Sequence, residues 1–335
     1  MPHPWSSLFH LSEKTWSALA LRFCYGWRIL GSGCNPETSG EILTMVIGTV
    51  GVWANLGGMP ALETLAFAKT VEKYGYTTLW VPEGGGGRDP FAHAAYLLSH
   101  TERLTLATGI ANIWIRDPLA MCSAANTVAE LAGGRFVLGI GVSHQPTVAD
   151  RGHSYTKPYS LMKEYLARLK SAQYRGAAPR QPVPIVIAAL HPKMLELAAR
   201  ETRGTHPYFV PPEHTAKVRA QIGPAPWICV EQTVVLETDP SEARTAARRF
   251  MSNYVPRLPN YTNNLRALGW QDADFADGCS DRLVDAIVAW GSVNKIRDRV
   301  DAHFKAGATH VCLQAIRVDG QPGPDTRALE ALAPR

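Results

Sequence analysis

Apolar and polar positions change their period several times along this chain, and the change is clearest between Leu104 and Gly141. Leu104-Thr105-Leu106-Ala107-Thr108-Gly109-Ile110 is a short, unbroken apolar and β-branched run, as expected of a buried strand. From Leu119 to Leu131 the apolar residues recur at helical spacing instead, at Leu119, Cys122, Ala125, Val128 and Ala129. Asp117 can cap this helix, Pro118 suits its first position, and Gly133-Gly134 can end it. Arg135 to Gly141 is a second buried run, with glycines at its carboxyl end where a ligand can approach the backbone. A strand, a helix of about four turns and a strand predict a right-handed crossover between parallel neighbours.

The same alternation runs on either side. Strand patterns cover Val46 to Trp53 and Thr77 to Val81, with helical patterns over Pro60 to Tyr74 and from Asp89-Pro90 to Ser99. After a polar loop, Ser143 to Pro158, a helix is expected from Tyr159 to Gln173. Three strand–helix pairs follow: Pro184 to Ala189 with Pro192 to Thr202, Gly204 to Val210 with Pro212 to Ile222, and Ile228 to Leu236 with a helix from Asp239 to Tyr254. A less regular stretch with two short helices runs to Trp290. Ser292 to Ala306 is the last helix and Thr309 to Val318 the last strand. Eight strand signals alternating with helices over about 290 residues predict an α/β fold, a single (β/α)8 TIM barrel with an insertion before the last helix. The expected division is an N-terminal extension over 1–44, the barrel over 45–318 and a Pro- and Gly-rich tail over 319–335.

Composition narrows the function classes. The 335 residues are 46% apolar and 19% charged, enough for a sizeable core and too apolar for disorder. The net charge of +5 is dispersed, and its densest stretch, Arg244 to Arg249, lies at helical spacing, which argues against nucleic-acid binding. The six cysteines form no CxxC or zinc spacing, and Cys122, Cys229 and Cys312 lie in apolar runs, which suits a reducing cytoplasm. No run reaches transmembrane length, and the N-terminus fits a signal peptide poorly.

Four phrases, in order and at barrel spacing, carry a family resemblance: ATGIANIWIRDP, AELAGGRFVLGIGVSH, PIVIAALHPKMLELAARETRGTHPY and WGSVNKIRDRVDAHFKAGATHVCLQ. Over roughly Met45 to Val318 the chain resembles the bacterial-luciferase-like superfamily, in its branch of coenzyme F420-dependent oxidoreductases. The resemblance implies a deazaflavin, or alternatively FMN, across the carboxyl-terminal mouth of the barrel. It also implies a non-prolyl cis peptide at Gly109-Ile110, forming a bulge behind the ring, with Ala111, Asn112, Gly141 and Ser143 nearby. Relatives that oxidise sugar phosphates carry a His and a Glu where this chain has Gly84 and Val142, so that acid–base pair does not transfer.

The residues themselves suggest further roles. Ala188-Ala189-Leu190-His191 ends a strand, and Pro192 starts a helix whose free N–H groups and dipole can hold a phosphate. Gly204-Thr205 is expected beside it, and in the family both segments hold the cofactor phosphate. Glu83 heads the run Gly84 to Gly87, read as a loop over the ring because it lacks the Lys and Ser/Thr of a P-loop. His144, Glu83 and His206 are the proton-transfer candidates, although His144 reads equally as a solvated loop histidine. Asn112 either orients the ring's pyrimidine edge or makes a turn. Trp53 and Trp114 either wall a substrate cavity or pack the core, and Tyr254 and Tyr261 in the insertion are candidate substrate contacts. The histidines form no metal-ligand pattern. The expected protein is therefore a cytoplasmic, homodimeric F420-dependent oxidoreductase that moves a hydride between deazaflavin and a small organic substrate. The rivals are an FMN-dependent monooxygenase and a flavin-binding barrel without turnover.

Overall fold

A computed structural model describes residues 47–84, 86–255 and 257–334, so the expected extension over 1–44 lies outside the described residues. The first half comprises β1 (Val50–Trp53), α1 (Ala61–Lys73), β2 (Thr78–Val81), α2 (Pro90–Leu98), β3 (Thr105–Thr108), β4 (Ala111–Asn112), α3 (Pro118–Leu131) and β5 (Phe136–Gly141). There follow α4 (Gln145–Ala149), α5 (Pro158–Ser171), β6 (Ile185–Ile187), α6 (Pro192–Glu201), β7 (Gly204–Thr205), α7 (Pro212–Ile222) and β8 (Trp227–Val235). The chain ends with α8 (Pro240–Met251), α9 (Pro259–Arg266), α10 (Asp272–Phe275), α11 (Asp281–Ile287), β9 (Ala289–Trp290), α12 (Val293–Lys305), β10 (His310–Ala315) and α13 (Thr326–Ala331).

Eight strands, in the order β1-β2-β3-β5-β6-β7-β8-β10, pair in parallel, and β10 closes the ring by pairing with both β8 and β1. This is the (β/α)8 barrel that the alternating pattern implies. β4 prolongs the edge beyond β3 and pairs with β5, while β9 pairs with the end of β8. Period-two alternation divides the strand residues. Val52, Leu79, Leu106, Leu138 and Val311 pack with the helices, and Trp80, Ala107, Val137, Val186, Cys229 and Cys312 form a separate cluster within the ring. The Trp80 ring stacks on His206 at 4.3 Å, and its indole N–H donates to His310 Nε2 at 3.0 Å. That layer fills the barrel, so a ligand must sit above it.

Local chemistry sets the helix starts. Asp89, Asp117 and Asp239 each precede a proline and each accept two backbone N–H bonds from the first turn. Four regions depart from the sequence pattern. The polar loop after β5 contains α4, because Pro146 starts a turn and Val148 buries itself. The stretch after Asp319 contains α13, capped by Asp325, with Ala328 and Leu329 buried and the Leu329 carbonyl held by the Tyr76 hydroxyl at 2.7 Å. The insertion holds α9, α10 and α11 rather than two helices. The strand expected over Gly204 to Val210 is only two residues long: Pro207 has no N–H for the ladder, and Phe209 takes a φ of 61°. Cys122, Cys229, Cys279 and Cys312 are free and buried. Among the described residues, no helix is long and apolar enough to cross a membrane.

Candidate active site

The carboxyl ends of the barrel strands surround a cavity of about 390 Å³. Of the residues singled out in the sequence, Trp53, Glu83, Gly109, Ile110, Gly141, Ser143, His144, Ala188, Ala189, Leu190, His191, His206, Tyr254 and Tyr261 line it. Ala111, Asn112, Trp114, Gly204 and Thr205 are not among its walls.

The β3 end forms one wall. Its Gly109-Ile110 peptide is cis, as the family resemblance implies, and the Trp53 indole N–H donates to the Gly109 carbonyl at 3.1 Å. A Cβ on Gly109 would stand 2.7 Å from Trp53 Nε1, and one on Gly141 only 2.8 Å from Ile110 Cδ1. Side chains at these positions would push the wall into the cavity.

Glu83 braces this segment from behind. Its backbone N–H donates to the Ile110 carbonyl at 3.2 Å, and its Oε2 accepts from the Asn112 N–H at 2.8 Å. Its Oε1 pairs with Arg116, which also reaches Asp89. Both carboxylate oxygens are therefore engaged, and the geometry supports a bracing role more than proton transfer.

The turn reading of Asn112 is the one realised: its Oδ1 accepts from the Trp114 N–H at 3.0 Å, so the side chain closes a local turn instead of reaching the cavity. Trp114 donates to the Val142 carbonyl at 2.9 Å and lies 5.6 Å from the His153 ring, shoring up the loop after β5. Ala111 is used in pairing with Ile140. Gly204 is hemmed in by the Trp227 backbone, and the Thr205 hydroxyl donates to the Ile187 carbonyl at 3.0 Å. Those two residues hold β7 to its neighbours and do not reach the cavity wall.

Ala188 to His191 do reach the cavity, and α6 begins there without a side-chain cap, leaving its first turn open to an anion. On the same cavity, His144 Nδ1 lies 3.1 Å from Asn260 Oδ1, and its ring is 5.5 Å from Tyr261. Burial pushes the His144 pKa down, against the Asn260 bond that opposes it, which favours the neutral imidazole. His206 is 2% exposed. Its Nδ1–H donates to the Cys229 carbonyl at 2.7 Å, and burial lowers its pKa to about 4. Its Nε2 is left without a hydrogen-bond partner. A bare acceptor at the base of the cavity fits a bound group that brings its own donor.

Sequence reasoning missed Tyr208, Asn260, Tyr155 and Met194, all on the cavity wall. Tyr208 had a signal, since it lies two residues beyond His206 and shares its face of an extended chain. Asn260 had none, because α9 reaches the mouth only through the folding of the insertion. Among the described residues, no group of three His, Cys, Asp or Glu side chains is placed to hold a metal ion.

The model of the family described as "Luciferase-like monooxygenase" matches residues 41–310. A 5,10-methylenetetrahydromethanopterin reductase of Methanolobus tindarius is 24% identical over 75% of this chain and 90% of its own length. The enzyme of that name from Archaeoglobus fulgidus is 26% identical over 80% and 92%. Among solved structures, the coenzyme F420-dependent tetrahydromethanopterin reductase of Methanopyrus kandleri superposes with a TM-score of 0.69. It is 17% identical, covering 85% of this chain and 98% of that one.

Proposed function

Because the chain belongs to the luciferase-like monooxygenase family, we propose that it is an oxidoreductase that uses coenzyme F420 to move a hydride to or from a small organic substrate. One observation carries this reading above others. The cavity at the mouth is walled by the braced Gly109-Ile110 segment and bordered by the open start of α6, the two features that a flat ring bearing a phosphate requires. When bound, the deazaflavin supplies two-electron hydride exchange and reacts poorly with oxygen. The chain's own work is placement and shielding. Ala188 to His191 and the first turn of α6 would hold the phosphate, while Ile110, backed by Gly141, would fix the plane of the ring. His206 Nε2 would accept a hydrogen bond from the bound group, and neutral His144 would exchange a proton with the substrate. The assembly is proposed as a cytoplasmic homodimer, which size-exclusion chromatography with light scattering would check.

The test is anaerobic mixing of the chain and reduced F420 with a panel of ketones, imines and enones, following the return of the oxidised cofactor's absorbance. Reoxidation that depends on both chain and substrate supports the reading. Oxygen consumption with reduced FMN, and none of the former, would replace it with a monooxygenase.

A further inference from the structure

We infer that the substrate is an uncharged alcohol–carbonyl pair whose oxygen is held by a hydrogen-bond chain running from Tyr254 through Tyr208 to Gln314. This rests on the hydride-transfer reading above and narrows it from any electron-poor double bond to the C–O group. The Tyr254 and Tyr208 hydroxyls lie 2.7 Å apart, and the Tyr208 hydroxyl lies 2.8 Å from Gln314 Oε1. Both tyrosines line the cavity. The Tyr208 ring is 5.3 Å from Trp53, whose indole holds the Gly109 carbonyl, so the chain stands beside the proposed ring site. Tyr208 has a partner on either side. Tyr254 has one, and a phenol can make more.

The chain can run in either sense. With Gln314 Oε1 towards it, Tyr208 donates to Gln314, Tyr254 donates to Tyr208, and the Tyr254 oxygen is free to accept from a substrate hydroxyl. With the Gln314 amide turned over, its N–H donates to Tyr208, Tyr208 donates to Tyr254, and Tyr254 donates to a carbonyl oxygen. An alcohol offers a donor and its carbonyl partner only an acceptor, so one reversible chain serves both redox states. An isolated C=C bond has no use for it. Burial raises the Tyr254 pKa to about 12, which keeps the phenol protonated in either sense.

The neighbourhood holds this chain in place and keeps it neutral. Phe209, next to Tyr208, sits in the left-handed region at φ 61°, and its N–H donates to Glu231 Oε2 at 3.2 Å. The Thr233 hydroxyl donates to the other Glu231 oxygen at 2.6 Å, so Glu231 is a positioning residue for the Tyr208 backbone. Among the described residues, no Lys or Arg lines the cavity, and the open start of α6 is assigned to the cofactor phosphate, so a substrate carboxylate beside the tyrosines would be desolvated without a cation.

The test titrates the full chain in a calorimeter with pairs that cannot react: acetophenone and benzoate on the chain loaded with oxidised F420, and 1-phenylethanol, under anaerobic conditions, on the chain loaded with reduced F420. Wild type should bind both neutral compounds, with benzoate at least about a hundredfold weaker. Tyr254→Phe should weaken both neutral compounds about tenfold, with F420 fluorescence quenching unchanged. Gln314→Met, which alters the far end of the chain and not the cavity wall, should weaken them about threefold and decides the matter if the first variant does not fold. The inference is overturned if loaded wild type ignores both neutral compounds, if benzoate competes equally, or if neither variant changes affinity. A wild-type chain that never quenches F420 instead overturns the hydride reading, and the same titrations of the unloaded chain then decide the role of Tyr254.

Discussion

The brace behind the cavity wall should behave as one unit. Arg116 and Glu83 have side chains 13% and 5% exposed, and Glu83 carries the Asn112 N–H as well. Arg116→Met leaves that carboxylate buried without its cation. Breaking a buried pair from one side costs about 3–5 kcal/mol, and the lost contact to the half-exposed Asp89 adds about 0–1 kcal/mol. The surviving Asn112 bond reduces the cost, so about 3 kcal/mol is expected. Glu83→Gln keeps an acceptor for the Asn112 N–H and should cost about 1–2 kcal/mol. The double variant should then lose about 3 kcal/mol instead of the sum, a coupling of about 1.5 kcal/mol. Urea unfolding of the four proteins, followed by circular dichroism, gives the cycle directly. Additivity within about 0.5 kcal/mol would show that the pair does not act as a clamp. Glu83→Gln separates the brace from a proton-transfer role as well: it should leave turnover largely intact, whereas loss of a general acid or base costs about a hundredfold or more.

Stability should fall on mild acidification. Burial holds His93, His206, His214 and His310 neutral with pKa values of about 4, and His303 with about 3. The unfolded chain, with histidines near 6.5, takes up protons first, so stability is lost as pH falls from about 6.5 towards about 4. At about pH 5.5 the loss relative to pH 7 is about 1 kcal/mol per histidine. Urea midpoints that stay constant over that range would contradict it. Gly141→Ala places a methyl against Ile110 and should weaken F420 binding about tenfold for about 1–3 kcal/mol of overpacking; unchanged fluorescence quenching would remove Ile110 from the ring site. His144→Gln should lower kcat about a hundredfold while sparing F420 affinity. Since neutral His144 is the active form and its folded pKa is lowered, the wild-type rate should decline on the acid side as His144 becomes protonated and stay level on the alkaline side. A fully active His144→Gln, or an alkaline limb that this variant abolishes, would dismiss the assignment.

The barrel was legible because its signals are local. Unbroken apolar runs, the Asp-Pro helix starts at Asp89 and Asp117, and the glycines after α3 each act within a few residues. The elements that escaped, α4 and α13, are short and lie in polar or Pro- and Gly-rich sequence, where one buried turn decides the structure. The site divided along the same line. Strand-end residues such as Gly109, Gly141 and Ala188 follow from where the strands stop. Thr205, Asn112 and Trp114 lie off the cavity wall because a side chain's direction depends on the pleat and on local turns, and each found a backbone partner nearby, which the sequence leaves open. Tyr208, Tyr254, Asn260 and His144 meet across up to 116 positions of sequence, a proximity that no spacing rule encodes.

F420 titrated into the purified chain tests the central claim most directly, with FMN titrated in parallel. Saturable quenching by F420 at one per chain, with FMN bound at least about a hundredfold more weakly, is the predicted result. Tight FMN binding with no response to F420 would contradict it.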